Sequence, residues 1–330
     1  RSIGEQAFCN CTSIVSLTIS NNVKSLGKEA FANCTGLREL SIPISFDAVV
    51  DNNAPAFSGC INLEKVTFTP GFGRGCDYYE LPSEGICFEY TPWHLSRGSL
   101  TTVIIDDGVK SIGRSTFQDC ICINNLILGD DLSFIDYYAF KGCISLGCLI
   151  LPDSLTRLEN AIFKECSSLN TVVIGKNLSF IGEYAFEGCT SIIDVYNKSS
   201  LNIVEGEPHT GHLSDYAENI YDLDSEWYMF LYGDFLFKQY GNMCYLVKYL
   251  GNDSVVRLPS EIVIGGTTIN HYEVSERAFY MNHIIESVIM RGFVSSIGDY
   301  AFYGCTSLTS VVFERYVNSI GDYAFYGCTS

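Results

Sequence analysis

Basic residues are scarce in this chain, and several kinds of site are missing altogether. Twenty lysines and arginines stand against 38 aspartates and glutamates in 330 residues, a formal net charge of −18. A surface of that sign repels phosphate, so nucleic acid is excluded as a partner class. No stretch approaches the roughly 20 uninterrupted apolar residues of a membrane span, so no membrane insertion is expected. The opening Arg1-Ser2-Ile3-Gly4 lacks the basic and apolar regions of a signal peptide. Cysteine is plentiful, at 15, yet no C-x-x-C pair exists, which removes the usual zinc spacing. His94, His271 and His283 stand alone, without the serine or cysteine context of a nucleophile elbow. No carboxylate pair is marked out for glycosidase chemistry. No cofactor is implied, and the chain is not expected to be an enzyme.

What is present is repetition. Ile3-Gly4-Glu5-Gln6-Ala7-Phe8-Cys9-Asn10-Cys11 returns 23 residues later as Leu26-Gly27-Lys28-Glu29-Ala30-Phe31-Ala32-Asn33-Cys34. Self-similarity at a fixed period is the signature of a stacked array. The phenylalanine recurs as Phe8, Phe31, Phe57, Phe117, Phe140, Phe163, Phe186, Phe279, Phe302 and Phe325. A cysteine follows three residues on as Cys11, Cys34, Cys60, Cys120, Cys143, Cys166, Cys189, Cys305 and Cys328. Written out, a unit is I-G-x-x-A-F-x-x-C-x-x-L-x-x-L-x-I and a turn. Ile, Ala and Phe at i, i+4 and i+5 suit one face of a short helical turn, whereas Leu169, Val172 and Ile174 place apolar side chains inward around a short strand. Such a unit cannot bury its apolar face alone, so neighbours must stack with their strands in a parallel sheet and their phenylalanines in a ladder.

Two segments break the rhythm. Phe57 to Phe117 spans 60 residues, and the excess at 71–98, with Tyr78, Tyr79, Phe88, Tyr90 and Trp93, reads as an aromatic insertion loop. Phe186 to Phe279 spans 93, close to four periods, so 197–275 reads as degenerate repeats. Within it, Asp234-Phe235-Leu236-Phe237 turning at Gly241-Asn242 into Tyr245-Leu246-Val247-Lys248-Tyr249 has the pattern of a β-hairpin. The organisation expected is N-terminal repeats at 1–70, the insertion, central repeats at 99–196, the degenerate segment and C-terminal repeats at 276–330, all one continuous solenoid. The chain starts inside one repeat and stops inside another. It reads as a piece of a larger protein, which could hold the signal sequence, anchor and capping units.

These repeats resemble the BspA-like leucine-rich repeats, the 23-residue class of surface proteins from oral and gut bacteria and mucosal protists. The carriers are Ala139-Phe140-Lys141-Gly142-Cys143-Ile144-Ser145-Leu146 and Ala301-Phe302-Tyr303-Gly304-Cys305-Thr306-Ser307-Leu308. Departures occur where Asp136 and Glu159 replace the glycine, Thr116 and Ile162 the alanine, and Asn282 the cysteine. The resemblance implies an α/β leucine-rich-repeat solenoid, a right-handed superhelix with a parallel sheet on its concave face and short helical or irregular turns on its convex face. It also implies an extracellular or cell-surface location, adhesion to host matrix proteins or other cells, and no catalytic residues.

The repeat cysteines read as structural free thiols, because a small buried thiol is a good ladder residue. Cys76 and Cys87 lie 11 residues apart in the insertion, where a bridge could rigidify it. Cys9, Cys122, Cys148 and Cys244 have no spacing partner. His209-Thr210-Gly211-His212, with Glu205, Glu207 and Asp215, reads as a polar connecting loop rather than a metal site. Asp106-Asp107 and Asp130-Asp131 read as turn formers.

Between the inward positions of each strand lies one that must face outward. It reads Thr18, Ser41, Thr67, then Ile104, Ile127, Ile150, Val173 and Tyr196, with Ile289 and Val312 later. An apolar stripe of several hundred Å² on an uncovered sheet suggests a contact site. Ile104, Ile127, Ile150, Val173 and Tyr196 are therefore the candidate ligand-binding residues, flanked by Tyr78, Tyr79, Phe88 and Trp93. The partner expected is a protein or glycan of host origin. A structural spacer that displays another domain is the alternative.

Overall fold

The computed structural model describes residues 1–23, 25–43, 56–70, 93–204, 210–223, 227–251, 253–264 and 266–330. Tyr78, Tyr79, Phe88, Tyr90, Cys76, Cys87, Glu205, Glu207 and His209, singled out in the sequence, lie outside these residues. The chain divides into two units, Arg1–Leu223 and Asp224–Ser330, each with its own hydrophobic core.

In the first unit the strands Ser16–Thr18, Glu39–Pro43, Lys65–Thr69, Thr102–Ile105 and Asn125–Leu128 form a parallel five-stranded sheet. Cys148–Ile150, Thr171–Ile174, Asp194–Asn197 and Asn219–Asp222 form a four-stranded one. Register is set by the repeat, because a slip of one residue would turn every leucine outward. Leu17, Leu40, Val66, Val103 and Leu126 pair in order, as do Leu149, Val172, Val195 and Ile220. A second, shorter strand per rung pairs in the same way, as at Ser111–Ile112 with Phe134–Ile135 and at Arg157–Leu158 with Phe180–Ile181.

The third side of each rung carries the phenylalanine, and here the expectation of an α/β fold with helical turns is corrected. The fold is a β-solenoid, and the described residues include one four-residue α-helix, Leu213–Tyr216, and one three-residue 3-10 turn, His94–Ser96. The Ile, Ala and Phe spacing fits a helix, but the residues two before and two after the phenylalanine have positive φ at Phe8, Phe31, Phe117, Phe140, Phe163, Phe186, Phe279, Phe302 and Phe325. Ser115 and Asp119 lie at 54° and 57°, and Tyr300 and Gly304 at 55° and 70°. L-residues at such angles cannot continue a right-handed helix. Their amide groups point along the stack instead. Ser115, Phe117 and Asp119 donate to the carbonyls of Tyr137, Ala139 and Lys141 at 3.0, 2.7 and 2.7 Å. Arg277, Phe279 and Met281 donate to Asp299, Ala301 and Tyr303 at 3.1, 2.7 and 2.8 Å. The turn side is thus hydrogen-bonded between rungs, as the strands are.

Inside, the phenylalanine rings stack as expected. Phe117, Phe140, Phe163 and Phe186 follow one another at 5.3, 5.5 and 5.7 Å between centroids. Trp93 is the residue that precedes them, buried and stacked on Phe117 at 5.2 Å. The insertion reading at 71–98 is corrected at its end, since residues 93–98 belong to a rung. Ser96 takes the cysteine position, donating to the Cys60 carbonyl at 2.8 Å.

The first unit closes on a rung that lies in the segment read as degenerate repeats. Thr210 bridges Ile181 in parallel, Phe186 donates to the Gly211 carbonyl at 2.8 Å, and Asn219–Asp222 pairs with Asp194–Asn197.

In the second unit the expected hairpin is present as Phe235–Tyr240 against Met243–Tyr249, with Tyr228–Tyr232 added as a third antiparallel strand. Met243–Tyr249 then pairs in parallel with His271–Val274, which continues to Phe293–Ile297 and Ser319–Ile320. A second parallel sheet runs Val255–Leu258, Ser287–Met290, Ser310–Phe313. Tyr249 occupies the phenylalanine position, stacked on Phe279 at 5.6 Å and donating its amide to the Ala278 carbonyl at 3.0 Å.

Candidate binding surface

The outward strand positions align as the repeat requires. Thr18, Ser41, Thr67, Ile104 and Ile127 are paired in succession across the five-stranded sheet. Ile150, Val173, Tyr196 and Tyr221 are paired across the four-stranded one. The Asn125–Leu128 strand packs against Cys148–Ile150, which joins the two series. Ile127 is 42% exposed, and Ile104 and Ile150 are half-buried. Three isoleucines thus present branched apolar side chains beside a hydroxylic stretch.

The other candidates differ. Val173 is only 1% exposed, so it is corrected from a contact residue to a buried one. It stands in register between Ile150 and Tyr196, both longer than valine, and Thr171 on the same strand is buried too. Tyr196 is half-buried and stacked on Tyr221 at 5.1 Å. Burial first, and the Asp194 carboxylate second, push its phenol well above the usual tyrosine range. Trp93 is likewise corrected to a core residue at 3% exposure, with its indole N–H donated to the Thr116 carbonyl at 2.8 Å. Tyr221, 37% exposed, extends the series and was missed. The signal was there in Asn219, which follows Asp194 by about one period.

Polar groups at the strand ends are committed to neighbouring rungs. Asp107 Oδ1 accepts the Asp130 amide at 2.8 Å, and Asp153 Oδ1 accepts the Lys176 amide at 2.9 Å. Asp131 accepts the Gly108 amide at 2.9 Å and pairs with Lys110 at 2.5 Å. Asp153 also holds the buried Lys198 ammonium at 3.0 Å. Desolvation pulls the Asp153 pKa upward, but the Lys176 amide and Lys198 outweigh it and hold the carboxyl below the usual range. Asp130 is raised by burial and by the carboxylates of Asp107 and Asp153. Asp107, Asp131 and Asp153 are turn formers whose carboxylates brace a neighbouring rung. Among the described residues no three His, Cys, Asp or Glu side chains converge as a metal would require. His212 pairs with Asp215 at 2.7 Å and stacks on Tyr184 at 5.6 Å.

The repeat cysteines are free thiols with one recurrent task. Cys34, Cys60, Cys143, Cys166, Cys189, Cys305 and Cys328 each donate S–H to the carbonyl of the phenylalanine in the preceding unit, at 3.1 to 3.3 Å. Burial pushes Cys60, Cys120 and Cys305 up to about 12. At pH 8 such a thiol is ionised to about one part in ten thousand, and the thiolate is the reactive form. Cys60, Cys120, Cys143, Cys166 and Cys305 are therefore expected to resist Ellman's reagent in the native protein and to react fully in guanidinium. The total released on unfolding, 15 thiols or 13, also reports whether Cys76 and Cys87 are bridged. Rapid native labelling of Cys143 would contradict its place in the ladder.

A β-solenoid whose rungs repeat a leucine, phenylalanine and cysteine ladder is a leucine-rich-repeat protein. The model of the BspA type leucine rich repeat region matches residues 1–75, 94–209 and 270–330, and the chain belongs to that family. No curated protein sequence matches the chain. Among solved structures, it is similar to a leucine-rich repeat protein from Bacteroides ovatus, at 22% identity over 99% of this chain and 80% of that one, with a TM-score of 0.36. A leucine rich cell surface protein from Faecalibacterium prausnitzii matches at 18% identity over 99% and 68%, with a TM-score of 0.28. The pneumococcal vaccine antigen PcpA matches at 18% identity over 68% and 71%, with a TM-score of 0.34. Among the described residues, no helix is long and apolar enough to cross a membrane.

Proposed function

We propose that this chain is a binding module, displayed outside the cell, that holds a host protein or glycan against the outer face of its strands. The observation that carries this reading is the pair Ile104 and Ile127, in register and continued by Ile150 on the strand packed beside them, on a face where strand preference alone would be served by threonine, as it is at Thr18 and Thr67. Apolar side chains that stay in reach of water, as the exposed Ile127 and the half-buried Ile104 and Ile150 do, cost solubility unless something covers them. The row lies on hydrogen-bonded strands, so it is presented with little freedom to lose on binding. Adhesion is the role the family implies, and among the described residues no three His, Cys, Asp or Glu side chains converge.

The test is surface plasmon resonance of the chain against an array of mammalian extracellular-matrix proteins and glycans, beside a variant carrying Ile127→Glu and Ile150→Glu. The substitutions place carboxylates at one exposed and one half-buried position on the outer face, neither in the core, so the circular dichroism spectrum is expected to be unchanged. Binding to at least one array member is expected, with a loss of about tenfold or more in the variant, as for charges set into an apolar contact. Equal binding by both proteins would remove the strands as the site. Binding to nothing would leave the spacer as the better reading.

A further inference from the structure

The turn side of the second unit carries an aromatic surface that the strand row does not explain. One residue after each phenylalanine stand Tyr280, Tyr303 and Tyr326, stacked at 5.4 Å and 5.4 Å with planes within 17°. Two residues before stand Arg277, Tyr300 and Tyr323, the last two stacked at 5.3 Å. The columns touch, Tyr300 to Tyr303 at 5.7 Å and Tyr323 to Tyr326 at 5.9 Å. Tyr280, Tyr323 and Tyr326 are 45%, 58% and 61% exposed. The rings cover one another's faces, so edges and hydroxyls form the outer surface. A sugar ring, which binds on an aromatic face, finds few faces free.

Beside the tyrosines, three residues before each phenylalanine, runs a column of exposed carboxylates: Glu276, Asp299 and Asp322. The chain itself shows what this combination holds. The Arg277 guanidinium lies 5.5 Å from the Tyr280 centroid and 5.8 Å from that of Tyr300, with the Glu276 carboxylate at 3.5 Å. The same pairing recurs in the first unit, where Arg114 lies 5.7 and 5.6 Å from the rings of Tyr137 and Tyr138 and Lys164 lies 5.7 Å from Tyr184. In the two rungs after Arg277 the arginine position is filled by Tyr300 and Tyr323. Ring and carboxylate are repeated there without a repeated guanidinium at that position.

We infer that this tyrosine and carboxylate face docks a cationic polypeptide segment, its arginines set against the tyrosines as Arg277 is and paired with Asp299 and Asp322. Charge decides among occupants. A second copy of a chain carrying −18 is repelled, whereas a basic segment gains the attraction and the guanidinium–aromatic contacts together. Tyrosine and arginine are the side chains that anchor protein interfaces most often. The site shares no residue with the isoleucine row, so either can fail without the other.

The experiment is fluorescence anisotropy of the whole chain at physiological salt with a labelled peptide of alternating arginine and serine, about twelve residues long, and a glutamate–serine peptide as control. Saturable binding of the arginine peptide alone is expected. A variant with Tyr280→Ser, Tyr303→Ser and Tyr326→Ser keeps the net charge and is expected to bind about five- to tenfold more weakly. Nitration of the unaltered chain by tetranitromethane, read by mass spectrometry, gives a measurement without substitution. The peptide is expected to protect Tyr280, Tyr323 and Tyr326 and not Tyr184. Undiminished affinity in the variant, unprotected tyrosines or no binding by the parent would each overturn the inference.

Discussion

Phe163→Ala is expected to destabilise the first unit by about 3–5 kcal/mol, measured by guanidinium unfolding followed by circular dichroism. The ring is fully buried, stacked 5.5 Å from Phe140 and 5.7 Å from Phe186. Its backbone is held on both sides, the amide by the Ala185 carbonyl at 2.9 Å and the carbonyl by the Cys189 thiol at 3.1 Å. Neighbouring rungs are fixed by their own hydrogen bonds and cannot close over the void, so the cavity contribution adds to the lost transfer energy. Phe163→Leu leaves most of the volume filled and is expected to cost about a third as much. Phe8 occupies the same repeat position but is 41% exposed, and Phe8→Ala is expected to cost only about 1 kcal/mol. If the two alanine variants unfold at the same midpoint, the ladder is not what holds the rungs together.

That ladder was legible in the sequence because every rung repeats it: a residue type that returns every 23 positions has the same neighbours each time. The parallel register and the free thiols followed from the same regularity. The turn conformation did not. Positive φ is usually read from glycine or asparagine, but here Ser115, Tyr138, Ala161, Tyr184 and Arg277 adopt it, at 54 to 62°. At Ser115, Ala161 and Arg277 the amide is held by the next rung, at the carbonyls of Tyr137, Glu183 and Asp299, a partner that no single repeat contains. The spacing of Ile, Ala and Phe therefore reads as a helical turn from sequence alone. Substitutions inside the ladder were hidden for a related reason, since Tyr249 fills a phenylalanine site with none of the flanking motif.

Of the candidate surface, the row of outward residues could be read and their exposure could not. Period-two alternation places Val173 outward, but its burial depends on the height of the flanking side chains. Ile150 and Tyr196 are both taller, and the buried Thr171 shares its strand. The tyrosine face of the second unit was present in the sequence as Tyr280, Tyr300, Tyr303, Tyr323 and Tyr326. Only the stacking distances show that they form one surface. A position that varies from rung to rung, as the one after the phenylalanine does, looks free of constraint until three successive rungs carry the same residue.

Trp93→Ala is the substitution that separates a core residue from a contact residue, and its expected effect is as large as that at Phe163. The indole stacks on Phe117 at 5.2 Å, meets the Phe68 ring edge-on at 5.5 Å and donates its N–H to the Thr116 carbonyl at 2.8 Å. It lies one period and one residue before Phe117, the extra residue being taken up by the 3-10 turn at His94–Ser96. Truncation removes a large buried ring, worth about 3–5 kcal/mol, and leaves a carbonyl unsatisfied, worth about a further 1–3 kcal/mol. Trp93→Phe keeps a ring in the stack and forfeits the hydrogen bond and part of the volume, so about 1–2 kcal/mol is expected. The two variants are to be compared by unfolding midpoint and by binding to the matrix and glycan array under conditions where both remain folded. A falling midpoint with unchanged binding places Trp93 in the array. An unchanged midpoint with binding lost would return it to the surface, and with it the reading of 93–98 as part of an insertion.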